Sequence, residues 1–220
     1  MAEFVGRRLP VYLVLDCSGS MSGEPIEACR MGLKALLSDL RGDPQALETA
    51  YMSVITFNSS AQQVCPLTEL MTFSEPTLTA SGSTNMAEAL NLMESCVENE
   101  VRKATPTQKG DWKPLIFIMT DGQPDSGCGW EASADRIKSK RIGNIIACAA
   151  GPGANSGILK RITDSVVELS SLQPDQLKMF FKWVSASVKT SSQNIVQKPT
   201  DGALDALPPP PPGSGIVIVP

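Results

Sequence analysis

Residues 11–20 read VYLVLDCSGS. Val11 to Leu15 form an unbroken apolar run that stops at Asp16, the pattern of a strand buried on both faces of a sheet. A small, polar stretch follows, and Pro25 stands where a helix accepts proline, in its first turn. From there Ile26, Cys29, Leu33, Leu36, Leu37 and Leu40 recur at helical spacing, until Arg41-Gly42-Asp43-Pro44 closes the segment. A buried strand handed through a Ser/Gly turn to an amphipathic helix is the opening unit of an α/β sheet.

The same alternation continues along the chain. Tyr51 to Phe57 is strand-like, and a turn at Asn58-Ser59-Ser60 leads to a second short strand over 62–67, where Pro66 marks an edge. The loop TLTASGSTN (77–85) feeds a helix over 86–103, with Met86, Leu90, Met93, Val97 and Val101 on one stripe. The apolar strand 115–119 ends in Thr120-Asp121-Gly122. Helices over 130–138 and 157–162 alternate with strands over 142–149 and 166–169. A last helix over 174–189 presents Leu177, Phe180, Phe181, Val184 and Val188, while Trp183 falls off that stripe and is expected at the surface. The pattern predicts a Rossmann-like, doubly wound, mostly parallel sheet with flanking helices, and residues 58–68 supply one antiparallel edge strand. One domain is expected over 1–192. Residues 193–220 carry five consecutive prolines, Pro208 to Pro212, and read as a flexible tail that cannot join a packed core.

Composition narrows the chemistry. The 220 residues hold 19 Lys+Arg against 23 Asp+Glu, and this mild acidity argues against nucleic acid as a partner. There is no histidine, which removes Ser-His-Asp and Cys-His nucleophile systems and every His-containing zinc or iron site. Six cysteines occur without a CxxC pair, several within apolar runs, so free thiols packed as small hydrophobes are expected. The apolar stretch near the start is too short for a signal-peptide core or a membrane span, and a cytoplasmic location is the expectation.

Function in open α/β sheets collects where strands hand over to helices. Three such loops stand out: Asp16-Cys17-Ser18-Gly19-Ser20, Ser81-Gly82-Ser83-Thr84-Asn85 and Thr120-Asp121-Gly122. Their donors are carboxylate and hydroxyl oxygens, a set suited to a hard divalent cation, Mg²⁺ or Mn²⁺ first and Ca²⁺ next. Two carboxylates leave a bound dication nearly neutralised but electrophilic, and such an ion favours a carboxylate from another molecule. The neighbouring Met21, Ser83, Asn85 and Gln123 are the expected partner-contact rim, although Met21 fits packing on the first helix equally well. Asp125 reads as a turn residue, with negative potential near the ion as the alternative.

These three pieces, in this order and each at a strand end, resemble the metal-ion-dependent adhesion site of von Willebrand factor type A domains. The resemblance covers about residues 8–190. It implies Asp16, Ser18, Ser20, Thr84 and Asp121 around one cation, with the hydroxyls ligating directly and the carboxylates acting largely through water. It also implies open and closed forms in which the last helix moves. Residues 7–27, 46–57 and 109–125 (RRLPVYLVLDCSGSMSGEPIE, ALETAYMSVITF, KGDWKPLIFIMTDGQPD) further resemble bacterial tellurium-resistance-associated proteins of the TerY type. That likeness implies a stress-response setting beside a Ser/Thr kinase and a PP2C-like phosphatase. A C-terminal zinc ribbon found in some relatives has no paired cysteines here to build it.

A competing expectation is a magnesium-dependent phosphohydrolase or phosphotransferase using Asp16. Aspartyl-phosphate chemistry needs a second carboxylate two residues on, and that position is Ser18. No GxxxxGKS/T phosphate loop is present either.

Overall fold

The computed structural model describes residues 7–197 and 207–220. Strand β1 (Leu9–Asp16) is buried along all eight positions. Its side chains alternate: Leu9, Val11, Leu13 and Leu15 enter one core and Tyr12 and Val14 the other. Seven strands form one sheet in the order β3-β2-β1-β4-β5-β6-β7. Strands β2 (Ala50–Phe57), β4 (Leu115–Thr120), β5 (Asn144–Ala150) and β6 (Ser165–Leu169) run parallel to β1, while β3 (Ala61–Glu69) returns antiparallel at the expected edge.

Helices α1 (Glu24–Arg41), α2 (Pro44–Thr49) and α6 (Pro174–Gln197) cover the first face. Helices α3 (Met86–Glu100), α4 (Trp130–Lys140) and α5 (Ser156–Ile162) cover the second. The short α2 lies beyond the periodicity signal, since six residues do not complete two turns. Asp43 caps it by accepting from Ala46 N at 2.9 Å.

Three expectations need correction. Trp183 is only 2 % exposed, because it packs edge-on against Phe117 and its indole donates to the Pro208 carbonyl at 2.9 Å. Helix α6 continues to Gln197, past the expected domain boundary at 192. The tail does not stay off the core: β7 (Ile216–Val219) pairs antiparallel with β6, so the sheet has a second antiparallel edge. A run of β-branched residues meets an open strand edge there, and pairing satisfies the backbone of both. Residues 1–6 of the expected domain and 198–206 of the expected tail lie outside the described residues. All six cysteines are free. No helix among the described residues is long and apolar enough to cross a membrane.

Candidate functional site

Strand order reverses between β1 and β4, so the chain leaves their carboxyl ends in opposite directions and opens a crevice there. Asp16 closes β1 and Thr120 closes β4, with Leu15 and Met119 in register beside them. The Asp16 carboxylate is 1 % exposed and fully engaged. Its Oδ1 accepts from Ser18 N at 2.8 Å and its Oδ2 from the Thr120 hydroxyl at 2.5 Å. The first bond folds the chain into the turn that carries Ser18 and Ser20.

The three loops are joined through hydroxyls and backbone. Ser18 Oγ and Ser20 Oγ lie 3.0 Å apart, and Ser20 Oγ donates to Asp121 Oδ1 at 2.9 Å. Gly19 N donates to the Gly82 carbonyl at 2.9 Å, and Ser81 N to the Cys17 carbonyl at 2.9 Å. Gly82 has φ +73°, and a Cβ there would collide with Ser59 Oγ, so this close approach of loops requires glycine. Thr84 is buried, with its hydroxyl toward Gly122: a Cβ built on that glycine would stand 3.8 Å from Thr84 Oγ1.

Two contributors lacked a role in the sequence reading. Thr120 was legible as part of a TDG strand end but not as the donor to Asp16. Asp125, read as a turn residue, clamps the second loop to the third. Its Oδ2 accepts from Ser83 Oγ at 2.6 Å, its Oδ1 from Thr84 N at 3.0 Å, and its own N–H donates to the Thr84 carbonyl at 2.9 Å.

Of the expected rim, Ser83 and Gln123 are exposed, and Asn85 is half-buried and caps α3 by accepting from Glu88 N at 3.2 Å. Met21 is a correction. It is fully buried beneath the turn, because the single 3₁₀ turn over Gly19–Met21 rolls its side chain into the core while Ser20 faces out.

Burial pushes both Asp16 and Asp121 above the ordinary carboxylate range, against the hydrogen bonds each accepts. A cation beside them would relieve that cost. Cys17 is also buried, and burial together with the neighbouring Asp16 pushes its thiol up to about 12, so it offers no thiolate at neutral pH. Among the described residues no three acidic, Cys or His side chains converge, so the centre is two carboxylates among hydroxyls. In an octahedral shell with metal–oxygen distances of about 2.1 Å, adjacent oxygens are separated by about 3.0 Å. The Ser18–Ser20 and Ser20–Asp121 spacings fit such a shell.

A mostly parallel sheet with a carboxylate–hydroxyl centre at its switch point defines a class of α/β binding domains. The chain belongs to the von Willebrand factor type A domain family, whose model matches residues 11–182, and members of this family commonly serve as protein-interaction modules. A von Willebrand factor A domain-containing protein of Dictyostelium discoideum is 25 % identical over 202 residues, covering 87 % of this chain and 20 % of that protein. This chain thus spans about a fifth of that relative's length. Among solved structures, the von Willebrand factor type A protein from Catenulispora acidiphila has a TM-score of 0.61 at 18 % identity, over 84 % of this chain and 43 % of the other. The pilus adhesin SpaC of Lactobacillus rhamnosus GG has a TM-score of 0.65 at 14 % identity, over 84 % and 31 %.

Proposed function

We propose that this chain is a non-enzymatic, metal-dependent protein-binding module. Asp16, Ser18, Ser20, Thr84 and Asp121 would hold one divalent cation, Mg²⁺ or Mn²⁺ before Ca²⁺, and an Asp or Glu of a protein partner would complete the shell. The observation that carries this reading is the run of oxygens from Ser18 through Ser20 to Asp121 at 3.0 and 2.9 Å, at the carboxyl edge of the sheet. When bound, the cation supplies an electrophilic position for one incoming carboxylate oxygen. Asp16 orients the first loop through Ser18 N, and Asp125 holds Thr84 against the third loop.

The phosphotransferase reading is less well supported. Asp16 is 1 % exposed and each of its oxygens already accepts a hydrogen bond, an arrangement that suits a supporting place behind a cation better than in-line attack on phosphorus. Position 18 is a serine, and no histidine is available to move a proton. On the likeness of residues 7–27, 46–57 and 109–125 to TerY-type proteins, we place the module in a bacterial, cytoplasmic stress-response assembly of the tellurium-resistance kind. A Ser/Thr kinase and a PP2C-like phosphatase are then its candidate partners.

Affinity capture from the native host in Mg²⁺ and in EDTA, with Asp16→Ala as control, tests the mechanism. The expected result is a partner retained only by the unsubstituted protein with metal present. A partner held equally well in EDTA would rule the metal bridge out, and so would calorimetry showing no Mn²⁺ uptake at millimolar concentration.

A further inference from the structure

The carboxyl edge of the sheet has a one-sided charge pattern. Among the described residues, no Lys or Arg occurs in the segments 17–23, 58–60, 78–85, 121–129, 151–155 and 170–173 that lie along it. None occurs in the first turn of α1, α3, α4, α5 or α6, whereas Glu24, Glu27, Glu88, Glu131 and Asp175 do. Asp125 adds a carboxylate beside the site, on Ser83 and Thr84. The first basic residues down the helices are Arg30, Arg136, Lys160 and Lys178, with none in α3. Arg30 is committed to the Leu78 carbonyl and pairs with Glu27, so the two add no net charge and the uncompensated acids are Glu24, Glu88, Asp125, Glu131 and Asp175. The placement follows from helix electrostatics, with acids at helix N-termini and bases such as Arg41, Lys138, Lys140 and Arg161 in last turns. Helices α1, α3, α4 and α6 each lead back toward a neighbouring strand and point their N-termini at the same edge, so four local preferences add up to one negative ring.

We infer that this ring selects the partner: the docking carboxylate is a lone Asp or Glu set among Lys and Arg, and polyacidic segments are rejected. The inference rests on the metal-bridged reading above. A dication at the centre would offset Asp16 and Asp121, but the surrounding acids remain. A bare carboxylate is attracted at one point and repelled by the acids along the edge, an interaction that salt screens over a Debye length of about 8–10 Å. Basic neighbours convert that repulsion into attraction, which fixes both specificity and encounter rate.

The test uses the full chain with Mn²⁺ and two blocked peptides, one with Asp flanked by lysines and one with Asp flanked by glutamates, titrated by NMR. The lysine-flanked peptide is expected to bind about tenfold tighter at about 0.05 M salt, and the gap should shrink to about twofold at about 0.5 M. Glu24→Lys combined with Glu131→Lys, both outside the metal set, should narrow the gap at low salt. Equal or tighter EDTA-sensitive binding of the glutamate-flanked peptide would overturn the charge selection and leave the metal bridge standing. Binding of the lysine-flanked peptide that survives both EDTA and replacement of its Asp by Asn would instead overturn the metal bridge.

Discussion

The Thr120 hydroxyl donates to Asp16 Oδ2 at 2.5 Å across the junction of two neighbouring parallel strands. The residues are 104 apart in sequence, and both are about 1 % exposed. This contact joins the first and third loops of the site from below and fixes one oxygen of a carboxylate that is almost closed to bulk solvent.

Replacing Thr120 by Val keeps the shape and deletes the donor. The buried Asp16 oxygen is then unpaired, and a loss of about 1–3 kcal/mol in urea unfolding is expected. Thr120→Ser should restore most of it. Equal stability of the Val and Ser variants would show the bond to be dispensable.

Gly32 sits in α1 against α6, and a Cβ there would stand 2.8–2.9 Å from atoms of the buried Phe181 ring. The ring is fully buried and would have to shift within the core, so Gly32→Ala should cost about 1–3 kcal/mol despite the better helix propensity of alanine. A gain in thermal midpoint would mean that the two helices separate easily.

Trp183 and β7 make a linked pair of predictions. Trp183→Phe removes the donor to the Pro208 carbonyl and should cost about 1 kcal/mol. Removing residues 207–220 uncovers the β6 edge and the indole together, so concentration-dependent association is expected by light scattering. A truncated chain that stays monomeric at high concentration would count against β7 as the guard of that edge.

Glu94 is buried on α3 and contacts Arg136 at 2.8 Å and Lys140 at 2.6 Å from α4. Burial alone would raise its carboxyl, but hydrogen bonds from Lys140 and Arg136 outweigh it and hold the group below the usual glutamate range. The stabilisation is therefore complete above the ordinary glutamate value of about 4.3 and disappears as pH falls through the lowered native one. Because both basic partners are half-exposed, the pair should contribute about 1 kcal/mol. Glu94→Gln should thus be the less stable form at neutral pH, with the difference closing below about pH 4 in a pH series of urea unfolding. A constant difference across that series would assign it to packing.

The strand–helix alternation was legible because both faces of β1, β4 and β5 are buried, which writes continuous apolar runs into the chain. The loops bearing Asp16, Ser18, Ser20, Thr84 and Asp121 were legible because a strand that ends in a carboxylate before small polar residues has no packing reason to do so. Nothing in local pattern could put Trp183 inside. A single aromatic off the stripe is covered only if another segment reaches it, and here the proline run does.

Residue order by itself determined the α/β class, the antiparallel return at β3 and an all-oxygen donor set without histidine, since each of these is a matter of local period or residue type. Tertiary structure alone decided that Met21 turns inward, that Asp125 binds Thr84 and that Ile216–Val219 closes the second edge. It also decided that acids placed separately at four helix starts, for local electrostatic reasons, face one side. Those outcomes depend on which distant segments meet, and only the folded chain sets that.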